Sequence, residues 1–291
     1  MCDQLTLADD AARAQATGLS RRQFAVASGA LAAAAMADAQ AAIAAGPALV
    51  ERDVSITTPD GTADAVLIHP AKGKHPGVIM WPDIAGLREA YRVMARRMAG
   101  EGYTVLLVNH YYRGGKAPFL ATMSEWRTPA GQEKLKPLIA GITPAGTTSD
   151  AKAFVAFLDQ QAATDTKRKI GTQGYCMGGP YTVRTAAAVP ARVGVACSFH
   201  GGGLVGDAPD SPNKLIAATK ASFLFAIAQN DDARSPADKD ALKAAAAAAG
   251  RPAEVEVYHA DHGWCTIDAP SYNKDEAERA WGRMLALYAK L

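Results

Sequence analysis

The sequence predicts an α/β fold built on a mainly parallel sheet. Short strand-like runs alternate with longer helix-periodic segments along most of the chain. Two of those runs, Gly77-Val-Ile-Met-Trp81 and Tyr103-Thr-Val-Leu-Leu-Val-Asn109, are apolar on both alternate sets of positions, as strands covered on both faces are. No internal repeat and no linker breaks the pattern after about residue 50. Alternation of this kind calls for right-handed βαβ crossovers and one catalytic-sized domain.

In chain order, Val54 to Thr58 and Ala65 to His69 read as strands joined by the Pro59-Asp60-Gly61 turn. Gly77–Trp81 is the next strand. Leu87 to Gly100 has helical spacing, with Tyr91, Met94 and Met98 on one face and a terminal glycine. The strand Tyr103–Asn109 follows. Residues 111–146 are rich in Gly and Pro, too long for a plain loop, and predict a short helix over the site. Ser149 is the expected N-cap of a helix running to about Ala162. Further strands are expected from Arg168 to Gly174, Arg192 to Phe199, Ala221 to Ala228 and Val255 to Tyr258, with helices over Pro236 to Ala249 and Tyr272 to Lys290.

The bulk properties bound the function. The chain has 291 residues, of which 49% are hydrophobic and 21% charged, values of a globular protein with a large core. A net charge of +2 and scattered aromatic residues give no basis for nucleic-acid binding. The cysteines, Cys2, Cys176, Cys197 and Cys265, contain no C-x-x-C pair. His259 and His262 lie three apart without an H-E-x-x-H motif, so neither a metal nor another cofactor is expected.

The N-terminal region reads as an address. Ser20-Arg21-Arg22-Gln23-Phe24 has the twin-arginine pattern, the stretch Ala25 to Met36 is apolar, and Ala37-Asp38-Ala39 offers a small-residue cleavage site. The apolar stretch is too short for a membrane span. Residues 1–39 are therefore expected to be a signal peptide, 40–52 a short linker and 53–291 the catalytic domain. The implied partner is the twin-arginine export machinery, and the implied location is periplasmic or secreted, membrane-tethered if the signal is kept.

The chemistry concentrates in Gly174-Tyr175-Cys176-Met177-Gly178-Gly179. A strand precedes it and a Thr/Ala-rich helix follows, which places Cys176 on a sharp strand-to-helix turn where glycines permit close backbone approach. This is the G-x-S-x-G nucleophile elbow with sulfur in place of oxygen. A thiolate at a helix N-terminus is a strong nucleophile, and it needs a base and a group that orients the base. The chain supplies both in the order nucleophile, acid, histidine. Gln229-Asn230-Asp231-Asp232 follows one strand, and His259-Ala260-Asp261-His262-Gly263-Trp264 follows another. His262, beyond its strand end and before a glycine, is preferred over His259. Asp231 is preferred over Asp232, and Asp261 reads as solvent-facing.

These residues resemble the dienelactone hydrolase family over roughly residues 53 to 290. The matching pieces are Gly174-x-Cys176-x-Gly178-Gly179, Ala228-Gln229-Asn230-Asp231, His262-Gly263-Trp264 and Pro82-Asp83-Ile84-Ala85-Gly86. The resemblance implies an α/β-hydrolase fold and a Cys176-Asp231-His262 triad. By matching position, it implies an oxyanion hole from the Ile84 and Met177 N–H groups, Asp83 against the resting nucleophile, and Arg113 as a clamp for a substrate carboxylate. The second arginine that dienelactone-specific members carry after the histidine is absent, and Trp264 suggests an apolar wall instead. The expected activity is hydrolysis of a small-molecule lactone or activated ester through a thioester. The alternatives are an exported non-catalytic binding protein or a redox-responsive thiol protein on the same fold.

Overall fold

The computed structural model describes residues 46–291 continuously and, before them, residues 8, 9, 12, 13, 15, 30, 32–38, 40, 41 and 43. The twin-arginine segment Ser20–Phe24 and Cys2 lie outside the described residues.

Eight strands form one sheet in the order β1-β2-β4-β3-β5-β6-β7-β8. β1 (Leu49–Thr58) and β2 (Gly61–Pro70) make an antiparallel hairpin through the expected Pro59-Asp60-Gly61 turn, and β2 also pairs antiparallel with β4 (Thr104–Val108). All other pairings are parallel: β3 (Gly77–Trp81) with β4 and β5 (Ile170–Tyr175), then β6 (Val193–Phe199), β7 (Ser222–Ala228) and β8 (Ala253–Tyr258). The chain leaves β3 toward β4 and returns to β3's other side as β5. That reversal is a topological switch point, where crevices open at the carboxyl ends of strands.

The strand side chains alternate between two cores, as a period of two requires. Val78, Met80, Val105 and Leu107 face one side, under helix α1 (Glu89–Gly100) and the C-terminal helix α9 (Lys274–Tyr288). Ile79, Trp81, Leu106 and Val108 face the other, under α4 (Pro144–Asp159), α5 (Gly179–Ala188) and α8 (Asp238–Ala248). Helix α1 buries Tyr91, Met94 and Met98, the stripe that the sequence predicted.

Several boundaries differ from the sequence reading for local reasons. Helix α4 starts earlier than Ser149: Thr143 accepts the Gly146 N–H as N-cap, and Pro144 occupies the first turn, where its missing N–H costs nothing. The helix expected over Pro236–Ala249 is α8, and a short helix the sequence did not predict, α7 (Gln229–Arg234), precedes it. The 111–146 excursion holds two helices, α2 (Met123–Trp126) and α3 (Pro129–Ala140), with α6 (Pro212–Leu215) lying later in the chain. Leu120, Trp126 and Leu135 of that excursion pack with Ile84, Ala85 and Tyr111 in a third apolar cluster. The excursion is thereby fastened over the loop that follows β3.

The described residues of the N-terminal region rest on the domain. Residues 32–38 are helical, Ala35 is buried in the first core, and Asp38 pairs with Lys274 at 2.7 Å. Asp9 accepts from Asn230 at 2.7 Å and Arg234 at 2.6 Å, and Arg13 pairs with Asp261. No helix among the described residues is long and apolar enough to cross a membrane.

Candidate active site

The loops at the carboxyl ends of β3, β5, β6, β7 and β8 converge above the switch point. Cys176 ends β5 in the left-handed region, at φ 53°, and is buried. That conformation strains a residue with a Cβ and survives only where the surroundings over-determine it. The glycines show how tightly they do. A Cβ on Gly174 would collide with the Gly178 backbone, and one on Gly178 would lie 2.5 Å from the Pro82 carbonyl oxygen. The elbow therefore packs directly against the end of β3.

Asp231 and His262 meet across the ends of β7 and β8. Asp231 Oδ2 is 2.7 Å from His262 Nδ1, and Asp231 Oδ1 accepts from Arg234 at 2.7 Å. Burial pushes the Asp231 carboxyl up, but the hydrogen bonds from His262 and Arg234 outweigh it and hold the group below its ordinary value. Asn230 Oδ1 accepts the His262 backbone N–H at 2.8 Å, which fixes the start of the histidine loop. Asp232 points elsewhere, onto Lys239 at 2.6 Å. Asp261 is not simply solvent-facing; it accepts from Gln229 at 2.9 Å and pairs with Arg13.

One imidazole joins the two halves. His200 follows β6 and is also left-handed, at φ 40°. Its Nδ1 accepts the Cys176 backbone N–H at 3.1 Å. Its ring meets the His262 ring edge-to-face at 4.6 Å and the Trp264 ring at 5.2 Å. Burial first, and the neighbouring His262 second, keep His200 well below the ordinary histidine range, so it is neutral. His200 Nε2 and His262 Nε2 are both buried with no partner among the described residues. Leaving a buried polar nitrogen unpaired costs about 1–3 kcal/mol.

Ile84 and Met177, whose N–H groups are expected to form the oxyanion hole, are both contacted by the Tyr111 side chain. Its hydroxyl donates to the Ile84 carbonyl at 2.9 Å and lies 3.1 Å from Met177 Sδ. Ile84 and Met177 thus flank the site from the β3 and β5 loops.

The three substrate-contact expectations fare differently. Asp83 is committed to Arg88: both of its oxygens bind the guanidinium, at 2.7 and 2.9 Å, and Oδ1 also accepts the Ala85 N–H at 3.0 Å. Arg88 is fully buried and shares its fork with Asp268, at 2.8 and 2.7 Å. Asp268 in turn accepts the Met123 N–H at 3.0 Å. One guanidinium therefore ties the loop after β3, the His262 loop and the overlying helix α2 together. Arg113 is not available as a clamp: Asp150 takes Nη1 and Nη2 at 2.8 Å each, and Asp60 takes Nη2 at 2.5 Å. Trp264 is not a pocket wall. It is fully buried, stacked on Tyr258 at 5.2 Å, and backs His200.

Sequence reasoning missed His200, Arg88, Asp268 and Tyr111. His200 carried a usable signal, since it follows a strand and precedes glycines, as His262 precedes Gly263. The other three act through contacts between distant segments and left no local pattern. Cys197 and Cys265 are buried free thiols, not a disulfide. No cluster of His, Cys, Asp or Glu suited to a metal ion occurs among the described residues.

Comparison with known proteins agrees with this architecture. The model of the dienelactone hydrolase family matches residues 63–291. A Methylorubrum extorquens protein named "Putative carboxymethylenebutenolidase" is 32% identical over 243 residues, 81% of this chain and 79% of that protein. A Synechocystis protein of the same name is 29% identical over 228 residues, 75% of this chain and 87% of its own. A solved Klebsiella pneumoniae structure, described as a "Putative Dienelactone Hydrolase", superimposes with a TM-score of 0.72 at 25% identity, over 84% of this chain and 100% of that one. With an α/β-hydrolase sheet and this family match, the chain belongs to the dienelactone hydrolase family and is a carboxylic ester hydrolase.

Proposed function

We propose that the protein hydrolyses a lactone or an activated carboxylic ester through Cys176, with Asp231 and His262 completing the triad. The observation that carries this reading is the 2.7 Å Asp231–His262 hydrogen bond, linked through the His200 ring to the left-handed Cys176 elbow. His262 Nδ1–H donates to Asp231, which leaves Nε2 as the basic nitrogen.

In the acylation step, the Cys176 thiol gives its proton to His262 Nε2, the thiolate attacks the carbonyl carbon and the carbonyl electrons move onto oxygen. The Ile84 and Met177 N–H groups stabilise that oxyanion. The tetrahedral intermediate collapses, the carbon–oxygen bond to the leaving group breaks, and the leaving oxygen takes the proton from His262. The result is a thioester. In the second step, a water gives a proton to His262 and its oxygen forms the new bond to carbon, whereupon the carbon–sulfur bond breaks and the thiolate is restored. Because a thiolate leaves readily, only substrates with stabilised leaving oxygens, such as enol lactones and aryl esters, partition forward. The names of the curated relatives make unsaturated lactones a natural first probe.

The test is mass spectrometry of the protein during turnover of an aryl ester, alongside Cys176→Ala. An acyl adduct on Cys176 and loss of turnover in the variant support the reading. Full activity in Cys176→Ala would falsify it.

We further propose that the N-terminal region directs twin-arginine export, on the strength of the Arg21-Arg22 pair before an apolar stretch. Fractionation of cells carrying the full chain and an Arg21→Lys, Arg22→Lys variant tests this. Equal distribution of the two between compartments would sink it.

A further inference from the structure

His200 has no part in the triad, yet it sits between its members. The Cys176 N–H donates to Nδ1 at 3.1 Å, so in the neutral ring the proton resides on Nε2. The same reasoning applied to His262 gives the opposite polarity. Its Nδ1–H donates to Asp231 at 2.7 Å, so Nε2 offers a lone pair. The two rings meet at 4.6 Å, and both distal nitrogens are buried and unpartnered among the described residues. One N–H donor and one acceptor, on two rings in contact, are complementary to a single hydroxyl or water: the oxygen accepts from one ring and donates to the other. Trp264 behind His200 is fully buried and prevents the ring from swinging away.

We propose that His200 is a further catalytic residue, which with His262 holds the water that hydrolyses the Cys176 thioester. His200 Nε2–H donates to the water oxygen, and that water donates one hydrogen to His262 Nε2. Its remaining lone pair forms the bond to the thioester carbon. The proton passes to His262 and is balanced by Asp231, the carbon–sulfur bond then breaks, and Sγ leaves as thiolate. His200 supplies a hydrogen bond only and its protonation is unchanged through the cycle. Burial, which keeps the ring neutral, suits it to that donor role.

This inference rests on the cysteine mechanism proposed above, and the experiment separates the two. Stopped-flow turnover of a 4-nitrophenyl ester resolves a nitrophenolate burst, which reports acylation, from the steady state, which reports hydrolysis of the thioester. His200→Asn keeps an acceptor near the Nδ1 position and tolerates the left-handed backbone, but it lacks the distal donor. The burst rate should stay within about threefold while the steady-state rate falls at least roughly tenfold, with the Cys176 adduct accumulating in the mass spectrum. His200→Gln restores a donor near the Nε2 position and loses the proximal acceptor, so its steady-state rate should recover relative to His200→Asn. A wild-type steady state in His200→Asn overturns the proposal, as does equal loss of burst and steady state in both variants, the result expected of a merely structural residue. Absence of a Cys176 adduct in the unaltered protein, with turnover surviving in Cys176→Ala, overturns the cysteine reading as well.

Discussion

Asp231 and His262 lie 31 residues apart in the chain and 2.7 Å apart in the fold. They face each other because β7 and β8 are parallel neighbours, with Ala228 paired to Tyr258 at the ends from which both loops depart. Asp231→Asn should lower kcat on the order of 10⁴-fold, because the amide favours the wrong imidazole tautomer. Asp232→Asn, which loses only the Lys239 contact, should leave kcat within about twofold. Steady-state kinetics of the pair with one aryl ester checks both.

Arg88 is the bolt that joins the loops of the site. Its partner Asp83 is buried with it and Asp268 is mostly so, and removing one charge from such a set leaves the others uncompensated. Asp268→Asn should therefore cost about 3–5 kcal/mol in urea unfolding. Replacing Arg88, Asp83 and Asp268 together by apolar residues of similar volume should cost less than the single change. A single change that proved neutral would contradict the assignment of Arg88 as a paired, charged group.

Acid sensitivity follows from the same carboxylates. Asp231 and Asp268 are both held below their ordinary value of 3.8, despite burial that opposes it, by His262 in one case and Arg88 in the other. For a group depressed in the folded state, the stabilisation is complete above the unfolded value and is lost as pH falls through the folded one. Their contribution should thus be intact above about pH 5 and decline below 3.8. Urea midpoints measured from pH 6 down to pH 3 should fall at the acid end, and should fall less steeply in Asp268→Asn.

Arg113→Ala tests the expectation that the structure reverses. With its guanidinium committed to Asp60 and Asp150, the change should not alter the preference between carboxylated and neutral esters. It should instead destabilise the fold by about 1–3 kcal/mol, since Asp150 is buried and keeps only the Tyr112 hydroxyl. Substrate-preference ratios and thermal unfolding read the two effects independently.

Tyr111→Phe removes the hydroxyl that donates to the Ile84 carbonyl. Loss of that hydrogen bond should cost about 1 kcal/mol of stability. If the Ile84 N–H acts on the oxyanion, kcat should fall roughly three- to tenfold with KM little changed, since the contact matters most in the transition state.

The lesson of the sequence lies in which contacts are local. Apolar runs such as Gly77–Trp81 and the Tyr91, Met94, Met98 stripe were legible because burial on a sheet or helix imposes a period on consecutive residues. The elbow was legible because one of its constraints is local: a Cβ on Gly174 would strike the Gly178 backbone four residues on. Ser149 was misread as a cap because Thr143-Pro144 is the stronger local signal. Arg113, read from a family position, and Trp264, read from its apolar side chain, find partners that neither signal carries: Asp60 and Asp150 for one, Tyr258 and His200 for the other.

The sequence by itself determined the α/β class, the alternating strands and helices, the glycine-flanked turn at Cys176 and the chain order of Cys176, Asp231 and His262. Those depend on periodicity and on short-range sterics, which are written in neighbouring residues. Only the tertiary structure decided that Asp231 rather than Asp232 meets His262, that Arg88 and not Arg113 is the buried arginine beside the site, and that His200 bridges Cys176 and His262. These choices depend on which loops the sheet brings together and on where a buried charge or imidazole can find its partners. Both are properties of the packed chain, not of any segment within it.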